Sequence, residues 1–151
     1  MVRYQDSIWL STSGGWVIRV DEEDLDHPDD LTAFLDGKPF TGQAIEYDDN
    51  QPVELMTYVG GVENGPRLTW SPNNGQLVVQ GNMRYPHPVG PWHYWDEGGK
   101  LARERIFDTA GNLRIMRTWD EMGNLTSEER YEPEVGFKDQ ATGRRNALRW
   151  R

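Results

Sequence analysis

Three histidines and a dense run of carboxylates are the residues of this chain whose types could support chemistry. Seven of the ten residues at positions 21–30 are acidic, and His27 lies among them. Carboxylate oxygens suit hard cations, and an imidazole beside them suits transition metals or general base catalysis. The run does not follow the EF-hand pattern, because it lacks the central glycine and the glutamate at the twelfth position. We therefore expect no metal and no cofactor, and interpret the run as a solvated acidic arm.

The other two histidines form no catalytic pattern. His87 lies between two prolines, and strand alternation predicts that His93 points away from Trp92 and Tyr94. A catalytic triad needs a base held by a carboxylate beside a nucleophile, and the sequence has no nucleophile-elbow or phosphate-loop pattern. The absence of cysteine excludes thiolate nucleophiles and zinc sites with cysteine ligands. We expect a protein that is not an enzyme.

A repeated pattern indicates the elements that carry these side chains. An aromatic residue followed by a Gly-x-Leu turn recurs every twelve residues from Trp95, and a related unit surrounds Trp70. Further glycines precede outgoing strands between these units, so the whole repeat is about 24 residues long in two halves of about 12. The structural positions of the repeat are Gly42, Tyr47, Gly65, Trp70, Gly75, Gly90, Trp92, Trp95, Gly99, Phe107, Gly111, Trp119 and Gly123.

Between the turns, side chains alternate with a period of two over five to seven residues, which is typical of strands joined into hairpins. The sequence predicts an all-β fold, an elongated antiparallel meander of repeated β-hairpins. We expect one structural domain in three parts: N-terminal cap strands with the acidic arm at 1–36, hairpin repeats at 37–132, and a C-terminal extension at 133–151.

The aromatic content predicts the kind of core. Seven tryptophans, six tyrosines and four phenylalanines recur where the architecture needs them, so we expect an aromatic core rather than an aliphatic one. A stacking platform for single-stranded nucleic acid is the competing interpretation of these aromatics with Arg103, Arg105, Arg114 and Arg117. We expect these arginines to lie on the exposed side of a one-sided sheet, paired with glutamates across strands: Glu104, Glu128 and Glu129.

The charge is divided unevenly along the chain. Residues 1–75 contain 14 acidic and 4 basic residues, whereas residues 76–151 contain 11 and 12, and the whole chain has a net charge of −9. A negative chain is repelled by phosphate backbones, so we expect no nucleic-acid partner. The chain has no long apolar run, and its first residues do not resemble a signal peptide, so we expect no membrane association and a cytoplasmic location.

The stretches 65–77 (GPRLTWSPNNGQL) and 89–101 (VGPWHYWDEGGKL) resemble the MORN-repeat variant pattern, in which spaced glycines alternate with tryptophan and tyrosine before a final Gly-x-Leu. Proteins with this pattern are grouped as YwqK-family antitoxins, which are regarded as bacterial immunity proteins. The resemblance covers residues 37–125. It implies a hairpin-repeat fold and a role in a toxin–antitoxin system.

Two functional hypotheses from different classes follow. The first is an immunity or antitoxin module that binds a protein partner, a toxin with a basic cleft, through its acidic half. The predicted contact residues are Asp21, Glu22, Glu23, Asp24, Asp26, Asp29, Asp30, Asp48 and Asp49. The alternative is a MORN-type scaffold or membrane-associated adaptor, which would reach anionic surfaces through its basic tail of Arg144, Arg145, Arg149 and Arg151.

Overall fold

The computed structural model describes residues 4–10, 15–132, 135–138 and 145–148, and the side chains of residues 17–132. Within them the regular structure is fourteen strands and one short 3-10 helix at Glu22–Asp24. The strands are β1 Tyr4–Leu10, β2 Gly15–Asp21, β3 Phe34–Leu35, β4 Lys38–Pro39, β5 Gly42–Asp48, β6 Gln51–Val59, β7 Val62–Trp70, β8 Leu77–Arg84, β9 His87–Trp95, β10 Leu101–Phe107, β11 Leu113–Trp119, β12 Leu125–Arg130, β13 Val135–Lys138 and β14 Arg145–Leu148.

Ten of the described strands form one sheet in the order β1-β2-β5-β6-β7-β8-β9-β10-β11-β12. Every neighbouring pair is antiparallel except β2 and β5, which run parallel. The predicted all-β hairpin meander is therefore confirmed, and it runs without interruption from β5 to β12. None of the helices in the described ranges is long and apolar enough to cross a membrane.

The turn predicted in each twelve-residue unit has the same structure in three successive units. In each copy an aspartate N–H donates to the carbonyl four residues later, at 2.9 Å for Asp96, Asp108 and Asp120. The aspartate Oδ1 accepts N–H bonds from the second and fourth following residues, and the glycine has a positive φ of 83–85°. Glycine adopts this backbone region without a Cβ clash, so the motif closes each hairpin at the same register.

The second set of glycines occupies the expected positions before outgoing strands only in part, as Gly61 does directly before β7. Gly42 is the first residue of β5, whereas Gly65 and Gly90 lie inside β7 and β9 and do not precede a strand. A Cβ at Gly42 would collide with the carbonyl oxygen of Ile18. Because this glycine has no side chain, the backbone of β2 can approach β5 closely.

The buried core lies at the N-terminal end of the sheet, beneath the chain that connects β2 to β5. Among the described residues it contains two aromatic side chains and is mostly aliphatic: Val20, Leu25, Ala33, Phe40, Ala44, Met56 and Tyr58. The expectation of an aromatic core was wrong, because the repeat aromatics mostly lie on β-strands that no second layer covers. All residues of β10 and β11 are partly exposed. In the described chain, this half of the sheet is one layer thick with two open faces.

Candidate functional site: the acidic end of the sheet

The predicted acidic arm is a folded element. We call residues 22–41 the acidic lobe. Its 3-10 helix, Glu22–Asp24, is capped by Asp21, whose side chain accepts the Glu23 N–H at 3.1 Å. The helix ends with the Leu25 N–H bonded to the Glu22 carbonyl at 3.0 Å, and the Leu25 side chain enters the core with 7% exposure. One leucine within the acidic run therefore anchors a segment that charge crowding alone would leave solvated.

Hydrogen bonds inside the lobe hold its polar side chains in place. His27 bridges two parts of the lobe, with Nε2 2.7 Å from a Glu22 carboxylate oxygen and Nδ1 3.0 Å from the Thr32 carbonyl oxygen. The Asp29 carboxylate accepts the Leu31 N–H and the Thr32 hydroxyl at 2.8 and 2.9 Å. These donors lower the pKa of Asp29, the Leu31 N–H contributing most, because each one favours the ionised carboxylate.

The lobe is tied to the turn between β6 and β7. The Ala33 N–H donates to the Gly61 carbonyl at 2.8 Å, and the Gly61 N–H donates to the Phe40 carbonyl at 2.8 Å. A bridge between Thr32 and Val62 extends the contact. A Cβ on Gly61 would lie 3.0 Å from the Ala33 carbonyl oxygen. The acidic lobe and the sheet therefore present one preformed surface.

Two distant acidic segments meet at this end of the sheet. Parallel pairing places Asp21 beside Ile45, and β5 continues from there to the turn at Asp49. The two segments border a concavity of about 520 Å³, lined by Asp21, Glu22, Glu23, Glu46, Tyr47, Asp49 and Asn50. The structure thus brings four of the predicted contact residues to one surface, which we call the acidic concavity: Asp21, Glu22, Glu23 and Asp49. The other five predicted contact residues do not line it: Asp24, Asp26, Asp29, Asp30 and Asp48.

Glu46 is a member of this concavity that the sequence interpretation missed. Partial burial raises the pKa of its carboxyl, and the negative charges of Glu54, Glu22 and Asp48 raise it further. The period-two pattern of β5 contained a signal for it, because Glu46 precedes Asp48 by two residues and such residues share a strand face. The proximity of Glu22, which lies in the 3-10 helix that follows β2, had no such signal.

A second cleft separates the lobe from the sheet face. Its volume is about 520 Å³, and it is lined by Glu22, His27, Asp29, Asp30, Leu31, Thr32, Met56, Tyr58, Glu63, Arg67, Met83 and Pro86. Burial raises the pKa of Tyr58 to about 12, and the charges of Glu63 and Glu22 add to the shift. Burial also raises the pKa of Glu63, whose carboxylate lies 3.4 Å from the Arg67 guanidinium. Arg67 makes its closest ion pair with Glu54 at 2.5 Å.

The predicted contact residues differ in exposure. Three are partly buried, namely Asp21, Glu22 and Asp24, and six are exposed, namely Glu23, Asp26, Asp29, Asp30, Asp48 and Asp49. Several of the exposed carboxylates form no ion pair with any lysine or arginine of the described chain: Glu23, Asp26, Asp30, Asp48 and Asp49. Their charge is therefore available to a partner.

The remaining histidines lie outside this end of the sheet. His93 is bonded through Nε2 to Glu104 at 2.9 Å, and His87 is an exposed residue at the start of β9. Within the described ranges, no group of three histidine, aspartate or glutamate side chains is arranged to hold a metal ion. Of the predicted basic tail, Arg145 begins β14, and Arg144, Arg149 and Arg151 lie outside the described residues.

Comparisons with protein-family models, with curated proteins and with solved structures found no match. The site itself is a preformed, concave surface with clustered carboxylates contributed by Asp21 of β2, by the lobe and by β5 and the β5–β6 turn. Such a surface suits recognition of a cationic group by charge and shape.

Proposed function

We propose that this protein is a non-enzymatic binding module that engages a cationic protein partner through the acidic end of its sheet. The observation that carries the proposal is the acidic concavity, in which carboxylates from residues 21–23 and from the β5–β6 turn face a common space. Exposed carboxylates around it have no basic partner in the described chain, so their field extends into solvent.

The electrostatics of this end favour a positively charged partner. Desolvation raises the pKa of Glu46, and the neighbouring charges of Glu54, Glu22 and Asp48 raise it further, which indicates a negative local potential. A charged patch of this kind speeds the encounter with an oppositely charged surface and disfavours partners of the same sign. The partner that fits is a protein with an exposed cluster of lysine or arginine residues.

Rigidity supports the same proposal. The lobe is anchored by Leu25 and by its hydrogen bonds to Gly61, so binding orders few residues. A preformed surface loses less conformational entropy on association than a disordered arm does. The structure therefore favours docking of a complementary shape over the folding of a flexible acidic tail around its target.

The more specific form of the proposal is an antitoxin or immunity role. In this role the acidic end occupies the basic cleft of a toxin and excludes the toxin's substrate. The resemblance of the glycine and aromatic spacing to MORN-repeat variant antitoxins supports this direction, as does the hairpin-repeat architecture. The protein's own contribution is recognition, with no chemical step.

The test captures a partner with the tagged full-length protein from lysate of its own cells, at low salt and at about 0.5 M salt, where the Debye length is well below 10 Å. We compare the wild type with E23K/D30K, which reverses two exposed charges of the lobe. The matched control is E121K/E129K, which makes the same charge change at the other end of the sheet.

The proposal expects a stoichiometric partner that wild type and control retain, that E23K/D30K loses, and that high salt releases. Equal retention by E23K/D30K would contradict docking at the acidic end. For the antitoxin role, the captured partner expressed alone should arrest growth, and co-expression of the wild type, but not of E23K/D30K, should restore it. A partner without toxicity would contradict the antitoxin role and favour the scaffold alternative.

A further inference from the structure

One face of the sheet far from the acidic lobe carries two arginines stacked on a tyrosine. The Arg103 guanidinium lies 4.4 Å from the centre of the Tyr94 ring, and that of Arg105 lies 5.7 Å from the same centre. The register explains the cluster, because Arg103 faces Tyr94 and Arg105 faces Trp92 across β9 and β10. We call this surface the arginine face; by register it consists of Trp92, Tyr94, Arg103, Arg105, Met116 and Thr118.

The opposite face of the same strands has its charges compensated. Glu104 accepts hydrogen bonds from His93 at 2.9 Å and from Arg117 at 2.7 Å. Arg117 in turn donates to Glu128 at 2.7 Å. These pairs form a ladder across β9, β10, β11 and β12. The expectation that Arg103 and Arg105 pair with glutamates across strands was wrong. The strand pleat puts them on the face opposite Glu104 and Glu128.

Among the described residues, the guanidinium groups of the arginine face have no carboxylate partner. Arg103 and Arg105 form no ion pair within the described residues, and the Nε of each is buried without a hydrogen bond there. A carboxylate on the same face, Glu129, is instead bonded by the Tyr131 hydroxyl. With respect to the described residues, the outer nitrogens of the two guanidinium groups are therefore left as donors. Stacking on Tyr94 holds their planar forks in place before any ligand arrives.

We propose that the arginine face binds an extended, carboxylate-rich peptide segment of a partner protein. Arg103 and Arg105 are two residues apart in β10, which separates them by about 6.7 Å along the strand. Alternate carboxylates of an extended peptide have the same spacing, and guanidinium pairs with carboxylate through two parallel hydrogen bonds. This site goes beyond the acidic end, because it selects the opposite sign of charge.

The surroundings favour a short acidic peptide over nucleic acid. Arg103 already covers part of the Tyr94 ring, which reduces the surface on which a base could stack. The net charge of −10 on residues 1–75 repels a long polyanion that runs along the sheet. A short peptide is affected only by charges within about 8 Å at physiological ionic strength.

The test uses the full-length protein and a synthetic peptide with glutamate alternating with threonine, measured by calorimetric titration. The proposal expects R103Q/R105Q to bind about tenfold or more weakly than wild type, because charge-assisted hydrogen bonds are lost. The matched control is R84Q/R130Q, which removes two exposed arginines outside the arginine face and should bind within about twofold of wild type. R103K/R105K keeps the charge but loses the planar fork, and should fall between the two.

Three results would overturn the proposal. The first is equal peptide affinity in wild type and R103Q/R105Q, with both folded by circular dichroism. The second is tighter binding of an oligothymidylate than of the peptide. The third is salt-sensitive self-association that R103Q/R105Q abolishes, which would assign the face to the acidic lobe of a second copy. The E23K/D30K variant should bind the peptide as well as wild type, so failure here is distinguishable from failure of the proposed function.

Discussion

The indole of Trp92 in β9 lies directly against the backbone of Gly81 in β8. Its Nε1 donates to the Asn82 carbonyl at 3.1 Å, and the side chain is only 7% exposed. A Cβ at position 81 would collide with the indole ring. In this one-layer part of the sheet, the backbone of the neighbouring strand at Gly81 covers the indole, as a second layer of structure does elsewhere.

We expect Gly81→Ala to lower the free energy of unfolding by about 1–3 kcal/mol, because the added methyl displaces the indole from its packed position. Urea denaturation followed by tryptophan fluorescence measures the loss. Gly98→Ala is the control, because Gly98 lies in an exposed turn, and it should change stability by about 0.5 kcal/mol or less. Similar midpoints for both variants would contradict the packing role of Gly81.

The turn aspartates should make the free energy of unfolding depend on pH in the acidic range. The Asn124 N–H, helped by further donors, lowers the pKa of Asp120 below its ordinary value of 3.8. A carboxyl with a lower pKa in the folded state contributes stability above its unfolded pKa, and this contribution is lost as the pH falls through the folded value. Asp120→Ala should therefore flatten the decline in stability below about pH 4. Denaturation midpoints at several acidic pH values test this, and an unchanged acid profile would contradict it.

Tyr58 should make the free energy of unfolding decrease at alkaline pH. Burial raises its pKa from 10.0 to about 12, so the folded state retains its phenolic proton where the unfolded chain has lost it. The stability that this proton contributes is present below pH 10 and is lost as the pH rises through the folded pKa. Tyr58→Phe should remove this alkaline dependence. Ultraviolet titration of tyrosinate should show one late-titrating tyrosine fewer in the variant than in wild type.

The ion pairs of the ladder across β9–β12 should contribute unequally to the free energy of unfolding. Glu104 is 15% exposed and joins His93 to Arg117, whereas Arg130 is 64% exposed at the end of the ladder. We expect Glu104→Gln to cost about 1 kcal/mol and Arg130→Gln about 0.5 kcal/mol or less, because solvent screens exposed ion pairs. Chemical denaturation measures both. The reverse order of these two effects would show that the ladder does not stabilise the sheet through its central pairs.

The sequence predicted those structural features that depend on residues close together in the chain. The aspartate and glycine of each twelve-residue unit predicted the turns at Asp96, Asp108 and Asp120, because their hydrogen bonds close within five residues. The alternation of side chains likewise predicted strands and their order in the meander. The acidic run was recognised from composition, but its folding into a lobe depends on Leu25 finding a core made by distant strands.

The sequence by itself determined that this chain is a β-hairpin meander with its negative charge at one end, because turn chemistry and period-two patterning act between near neighbours. Only the tertiary structure decided which charges meet. The parallel pairing of β2 with β5 creates the acidic concavity, and the strand register separates Arg103 and Arg105 from the glutamates that pair with Arg117. Such relationships depend on contacts between residues far apart in the chain, and a single sequence does not encode them as a local pattern.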